Sequence, residues 1–284
     1  METLFEYQFS TLLELLQAQA QIWVGAFIFD TLRYLIGVSS VTLVLTVLLA
    51  SWSEKRRIQN RKASAADRYR EVGYSLLTTA VYATVALFTV AAVENGWTQK
   101  YSELSEFGWA YALFSFAALF VLHDTYFYWV HRTMHHQKLF RIFHRIHHLS
   151  RTPTSWAAYS FAPGEAVVMA LFMPAALMLM PLHPVVIIGY LSCMIIRNAM
   201  GHSGIEFHHH KWVDSIFDIF TTTTHHDLHH QKFSSNYALY FTWWDRWMGT
   251  ENPAYKATFR AIVDQANQSD LLPHQAPNPI SQEV

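Results

Sequence analysis

Four long stretches of this chain carry no charged residue, and they restrict its fold more than any other feature. Tyr34–Ser53 is a charge-free run of 20 residues and Val72–Val93 is one of 22. Phe107–Leu122 is a third, extended by the aromatic stretch Tyr126–Val130. Ala166–Ile196 is a fourth, of 31 residues, interrupted by Pro174, Pro181, Pro184 and Gly189. About 20 apolar residues in a helix span the hydrocarbon core of a bilayer. A single such run fits the core of a soluble protein as well, but four together favour a membrane. Composition agrees: 14% of residues are charged and 52% hydrophobic, whereas soluble domains carry roughly 25% charge. The expected fold is all-α, an integral membrane helical bundle of about four membrane helices. The fourth run is too long for one straight span and too short for two, so one helix pair is expected to be broken or re-entrant, entering the bilayer and returning.

The loops between these runs differ in charge. The first holds Lys55, Arg56, Arg57, Arg61, Lys62, Arg68 and Arg70, whereas the second holds only Lys100 beside Glu94, Glu103 and Glu106. Basic loops stay on the cytoplasmic side, so residues 54–71 are expected inside and 94–108 outside. The third run then leads back inward to a histidine-rich helical cap facing the cytoplasm. Residues 1–30, with Leu4, Phe5, Leu12, Leu15 and Leu16 against Glu6 and Glu14, read as an interfacial helix. Glu2, Glu6 and Glu14 stand where a signal peptide would be basic. Three regions follow: 1–110 with the interfacial helix and first two spans, 111–251 as the catalytic region, and a polar, loose tail, 252–284, containing Pro273, Pro277 and Pro279. A net charge of −1 gives no support to a nucleic-acid partner. Cys193 is the only cysteine, so a Cys-based metal site is excluded.

The chain has 17 histidines. After the third run come His131-Arg-Thr-Met-His135 and His144-Arg-Ile-His147-His148, and later His202 and His226-Asp-Leu-His229-His230. Residues three or four apart share a helix face, so each group can aim at one spot. Neutral imidazole ligates Fe, Zn, Cu and Ni. Nine converging histidines are too many for one ion and suit two. About 0.06 chance matches to H-x-x-H-H are expected in a chain this rich in histidine, so two are unlikely by accident. His123, His136 and His225 are neighbours of the set, lying two turns before it or off its stripe. His183, His208, His209, His210 and His274 read as ordinary surface or core residues. Metal-bound imidazoles need partners for their distal N–H. Asp124, Asp227 and Glu206 are candidates for that role, and Asn198, one turn before His202, is a candidate weak ligand or water holder.

Several of these motifs occur together in a known order. H-D-x₃-Y-x₂-H-R-x₂-H (His123–His135), H-x₂-H-H (His144–His148), P-T-x-W-A-A-Y (Pro153–Tyr159), G-H-x-G-x-E (Gly201–Glu206), H-H-D-x-H-H (His225–His230), Asn236-Tyr237 and W-D-R-x-x-G-T (Trp244–Thr250) resemble the fatty acid hydroxylase/sterol desaturase superfamily over about residues 115–251. The resemblance implies a cytoplasm-facing centre of two iron ions, with O₂ as co-substrate and a lipid that is hydroxylated or desaturated. It implies His131, His135, His144, His147, His148, His202, His226, His229 and His230 as metal ligands. One departure is that some members have H-x₃-H where this chain has Asn198-x₃-His202, which leaves one metal short of an imidazole.

Electrons must come from a separate donor, a reductase, ferredoxin or cytochrome, because the sequence holds no haem-binding cytochrome domain, no Gly-rich nucleotide fingerprint and no Cys cluster. Trp156, Tyr159 and Phe161 are expected to line lipid access, and Trp243, Trp244 and Trp247 to form an interfacial belt. Hydroxylation is the first expectation and desaturation the enzymatic alternative. A membrane metal transporter or sensor would place its ligands within the spans, and a haem carrier would pair histidines on facing spans. The lack of a fused electron-transfer domain or a dilysine tail points to a bacterial inner membrane.

Overall fold

The computed structural model describes the backbone of residues 2–271 and the side chains of residues 12–268. Among these residues the protein is all-helical, with three isolated β-bridges and no strand. Helix α1 (Glu2–Leu43) runs through a π-helical turn, Val44–Leu48, into the short α2 (Ala50–Lys55). Then come α3 (Ala65–Glu94), α4 (Gly108–Met134), α5 (Gln137–Phe143), α6 (Pro163–Ala170), α7 (Phe172–Leu179), α8 (Pro184–Gly201), α9 (Thr223–Lys232), α10 (Trp243–Trp247) and α11 (Tyr255–Leu271).

Four segments are long and apolar enough to cross a membrane: Leu12–Leu48, Ala65–Glu94, Gly108–Met134 and Pro184–Gly201. Their outward faces are apolar too, with Ile36, Val47, Leu48, Leu113 and Phe114 each more than 60% exposed. A continuous apolar surface of this kind is unfavourable in water and is matched by lipid. The bundle is therefore an integral membrane one.

The fourth charge-free run is a hairpin, as its prolines suggested. Proline lacks an N–H and fixes φ near the helical value, so it suits a first helical turn; Pro163 opens α6 and Pro184 opens α8. The descending arm is broken at Leu171 into α6 and α7. Its far turn is held against the α3–α4 loop, where Gln99 N donates to Leu177 O (2.8 Å) and Tyr101 N to Leu182 O (3.3 Å). His183 caps α8 through Nδ1 and donates from Nε2 to Ser102 O, a structural role as expected. Helix α8 then returns to the end from which α6 left. Helices α1 and α8 approach closely at Gly37, where a Cβ would meet Ile195 Cγ2 at 3.1 Å.

Two expectations are corrected. Residues 2–30 do not form a helix separate from the first span, because α1 is continuous from Glu2 to Leu43 and the candidate span Leu12–Leu48 already takes in residues 12–30. The reason is local. Asp30 and Arg33, which end the charge-free run, pair with each other at i,i+3, so the helix continues past them. The side chains of Leu4, Phe5 and Glu6 lie outside the described ones. The carboxy-terminal region is not loose throughout either. Helix α11 buries Tyr255, Phe259 and Val263 completely against Val213 and Leu228 of the cap, which gives an otherwise polar segment an apolar stripe. Pro273, His274, Pro277 and Pro279 lie outside the described residues.

Truncating a fully buried Phe costs about 3–5 kcal/mol. Phe259→Ala is therefore expected to lower the thermal unfolding midpoint of the detergent-solubilised protein. An unchanged midpoint would show that α11 contributes nothing to the fold.

Candidate metal centre

The nine histidines arrive from four places at one end of the bundle. His131 and His135 close α4. His144 follows α5, and His147 and His148 occupy a 3₁₀ turn, not a regular helix. His202 ends α8, and His226, His229 and His230 lie on α9. Helix α9 is fixed by caps at its start: Thr222 Oγ1 accepts from His225 N, and Glu206 accepts from Thr224 N and Oγ1.

The imidazoles form two groups: His131, His135, His144, His148 and His229 in one, His147, His202, His226 and His230 in the other. Within each group the ligand nitrogens lie within 4.8 Å of one another. Nitrogen ligands about 2.1 Å from an ion are about 4.2 Å apart across it, so each group has the dimensions of a coordination shell. The groups adjoin, with the His148 and His230 rings 4.9 Å apart. Each H-x-x-H-H motif divides between them: His144 and His148 go one way and His147 the other, while His226 and His230 separate from His229. The expectation that each motif aims at one spot is corrected accordingly. On α9 the reason is plain, since positions 226 and 230 share a stripe from which position 229 is rotated.

Backbone carbonyls fix the tautomers. His131 Nδ1 lies 2.7 Å from Tyr237 O, His202 Nδ1 2.8 Å from Asn198 O, His229 Nδ1 2.7 Å from Ser235 O and His230 Nδ1 2.9 Å from Ser150 O. A carbonyl only accepts, so each Nδ1 is the donor and each Nε2 presents a bare lone pair. These lone pairs face other ring nitrogens at 2.9–3.2 Å: His131 to His144, His202 to His226, His229 to His148, and His230 to His226. His226 faces two such nitrogens with at most one proton to share. Burial first, and neighbouring histidines next, hold His144, His147, His148, His226, His229 and His230 well below the usual imidazole range. These shifts favour the neutral ring, which is the ligating form. Inward lone pairs on neutral, buried nitrogens suit a pair of cations.

The other candidates are placed differently. Asp124 is fully buried, but it accepts from the backbone N–H of Leu239, Tyr240 and Phe241 and from Trp243 Nε1. It anchors a loop and touches none of the nine histidines. Asp227 accepts from Gln59 and Gln231, and burial pushes its carboxyl up to about 6. Glu206 holds Thr224 and His208. None of these three carboxylates partners a histidine of the two groups. Asn198 serves His202 through its main-chain carbonyl, while its side-chain amide donates to Ala158 O (2.6 Å). His123 hydrogen-bonds Tyr240 Oη, His136 caps α5, and His225 lies 3.5 Å from Asp245; all three stand outside both groups. Trp243 and Trp244 are tied to Asp124 and Thr125, and only Trp247 is well exposed, so the belt expectation is corrected for the first two.

The carboxylate that does reach a site histidine was not anticipated. Glu165 Oε1 accepts from His144 Nδ1 at 2.7 Å, and both side chains are buried. Its only sequence signal is a lone acidic residue at the head of an apolar run, which by itself suggests function.

An apolar cavity of about 260 Å³ among the membrane helices reaches residues that pack on the histidine groups, although none of the nine histidines lines it. Phe127, Phe161 and Asn198 line its inner end. The Phe127 ring lies 4.9 Å from His131 and the Phe161 ring 5.3 Å from His147. Tyr159 also lines it, as expected of lipid access, whereas Trp156 packs against Tyr34.

Loss of a partner behind a ligand typically weakens metal binding roughly 10- to 100-fold. Glu165→Leu is expected to lose bound metal at correspondingly lower chelator concentrations than the wild type, read as metal per protein after dialysis. Equal retention would remove Glu165 from the site.

Comparison with known proteins places this arrangement. Residues 116–250 match the fatty acid hydroxylase family. The chain is 34% identical to human lathosterol oxidase over 60% of its length and 56% of that protein. It is 30% identical to a Delta(7)-sterol 5(6)-desaturase of Gibberella zeae over 55% and 47% of the two chains. With methylsterol monooxygenase 1 of Rattus norvegicus it shares 28% identity over 50% and 48%. The chain thus spans about half the length of the curated relatives it matches. No solved structure matches it. The histidine-bearing region, residues 116–250, belongs to the fatty acid hydroxylase/sterol desaturase superfamily.

Proposed function

We propose that this protein is an O₂-dependent, di-iron lipid hydroxylase. The observation that carries the reading is the approach of an apolar cavity among the membrane helices, to within one aromatic ring, to two groups of imidazoles that are all buried except half-buried His135. Bound there by the nine histidines, two iron ions would supply the redox chemistry that lets O₂ oxidise an unactivated C–H bond. Iron, in preference to other imidazole-binding metals, follows from the family. The protein's own contribution is placement. Phe127 and Phe161 hold a hydrocarbon against the centre and keep water from it. Tyr237 O, Asn198 O, Ser235 O and Ser150 O fix four rings in the ligating tautomer, and Glu165 orients His144.

The relatives' printed names supply the substrate class: desaturase, oxidase and monooxygenase of sterols. A sterol or sterol-like lipid is the substrate proposed. Desaturation at the same centre is the second reading, favoured by the name of the Gibberella protein. The basic loop 54–71 supports a cytoplasmic position for the centre, where a separate electron-transfer protein would dock. The relatives named here are fungal and mammalian, so they lend no weight to a bacterial inner membrane.

Lipid mass spectrometry on cells expressing the wild type and, separately, His147→Ala tests the activity. A lipid that has gained one oxygen only in wild-type cells is expected, and one that has lost two hydrogens would select desaturation. Identical profiles from two folded, membrane-inserted proteins, the wild type carrying iron, would overturn the proposal. Sidedness is tested in a Cys193→Ser background carrying Arg61→Cys. A membrane-impermeant maleimide is expected to label it only after cells are opened, and labelling of intact cells would reverse the orientation.

A further inference from the structure

The far part of the cavity contains an ion pair. Asp30 and Arg33 lie on α1 inside a candidate membrane span, and both line the cavity. Their side chains are 15% and 7% exposed, and they pair directly with each other. Arg33 Nη1 donates to Leu191 O of α8 at 2.9 Å, and its guanidinium lies 5.8 Å from the centre of the Tyr159 ring. The pairing is incomplete. Arg33 Nε is buried with no acceptor. Asp30 Oδ1 accepts from Arg33 Nη2, and a carboxylate has further lone pairs to offer; Tyr82 lines the cavity beside them. Charges inside a membrane are costly and usually serve a ligand or a pathway. A joint between α1 and α8 requires only the arginine contact to Leu191 O. It does not explain why a carboxylate and a guanidinium together form part of the wall of an otherwise apolar cavity.

The geometry points to Asp30 and Arg33 as the docking site for a hydroxyl group of the lipid substrate, an inference that rests on the lipid-oxidation reading above. A neutral hydroxyl accepts from one N–H and donates to one carboxylate oxygen, and a guanidinium with five N–H and a carboxylate with two oxygens can offer both beyond their mutual pair. A carboxylate is attracted by Arg33 but repelled by Asp30, and an amine the reverse, so the neutral pair gives a charged headgroup no net advantage over a hydroxyl. Leu191 precedes Asn198 by seven residues and His202 by eleven on α8, or about 10 Å and 16 Å along the axis. The carbon oxidised therefore lies roughly 10–15 Å from the docked hydroxyl, at the remote end of the lipid. Both residues are outside the 116–250 region shared with the family. They are positioned to set which lipid, and which end of it, reaches a common centre.

The test uses the full-length, iron-loaded protein in detergent. Radiolabelled cholesterol and radiolabelled hexadecan-1-ol are the probes, which distinguishes a sterol from a straight-chain alcohol. Each is competed by itself and by its O-methyl ether, which keeps the oxygen as an acceptor and loses the donor. At least one alcohol is expected to bind, with its ether at least tenfold weaker. Both charges are removed together, as Asp30→Leu with Arg33→Met, so that neither is left buried alone. That variant is expected to keep its iron and to bind alcohol and ether alike, while His147→Ala keeps the wild-type preference. Retained iron shows that the double variant is folded, and a purely structural joint would leave its preference for the alcohol unchanged. No binding of either alcohol, equal binding of alcohol and ether by the wild type, or an undiminished preference in the double variant overturns the inference. So does a cellular product oxidised beside its hydroxyl-bearing carbon. The lipid-oxidation reading fails separately, if the wild type shows the alcohol preference and yet forms no oxidised lipid in cells.

Discussion

Nine imidazoles turned towards one another, all buried except half-buried His135, form an unfavourable arrangement until cations lie among them. Ring nitrogens approach to 2.9 Å at His131–His144 and at His202–His226. In four of the nine rings the proton is committed to a backbone carbonyl on the far side, so lone pair faces ring nitrogen with few hydrogens to intervene. Much of the rest of the cap holds this geometry in place. Glu206 and Thr222 fix the start of α9, Asp124 gathers the 239–243 loop, and Asp245 accepts from Tyr237 N and Ala238 N beside the carbonyl that receives His131. The acidic residues near the site are therefore braces for backbone segments, and backbone carbonyls are what the rings use. Glu165 is the exception.

The membrane base answers a different requirement. A water-insoluble substrate must reach a polar centre without crossing water. The hairpin of α6, α7 and α8 provides this by leaving the cap at Pro163 and returning to it at His202. A cavity is thus enclosed between its arms and helices α1, α3 and α4. Segment 150–162 closes the cavity beneath the histidines. Ser75 and Tyr34 both donate to Trp156 O, and Thr154 donates to Glu71 at 2.5 Å. The α1–α3 pair is thereby coupled to the site, although it contributes no histidine to it.

What the sequence revealed and what it hid divide along a physical line. The spans, the hairpin and the convergence of the nine histidines were legible because each depends on side-chain type at a fixed spacing. The assignment of His147 apart from His144 and His148 was not, because a 3₁₀ turn replaces the helix that spacing alone suggests. The partners of Nδ1 in His131, His202, His229 and His230 were hidden for a simpler reason. They are main-chain carbonyls, which every residue possesses, so no residue type marks them. Asp124 and Asp227 misled for the converse reason: an acidic residue near a histidine motif resembles a ligand partner, and only the fold shows that each is occupied elsewhere. In α11 an apolar stripe of three residues within a polar segment gave too little signal to distinguish a packed helix from a tail.

The split of five histidines against four bears on the departure at Asn198. The smaller group is the one that contains His202, one turn after Asn198. Asn198 is not simply an absent ligand, however. Its amide donates to Ala158 O, its carbonyl receives His202, and its side chain lines the inner end of the cavity. Position 198 therefore links the four-histidine group to the cavity. The five-histidine group approaches the same cavity through Phe127, which packs on His131, and it contains the half-buried ring of His135, whereas all four rings of the smaller group are buried. The two groups thus differ in their surroundings, even though both are built from the same motifs.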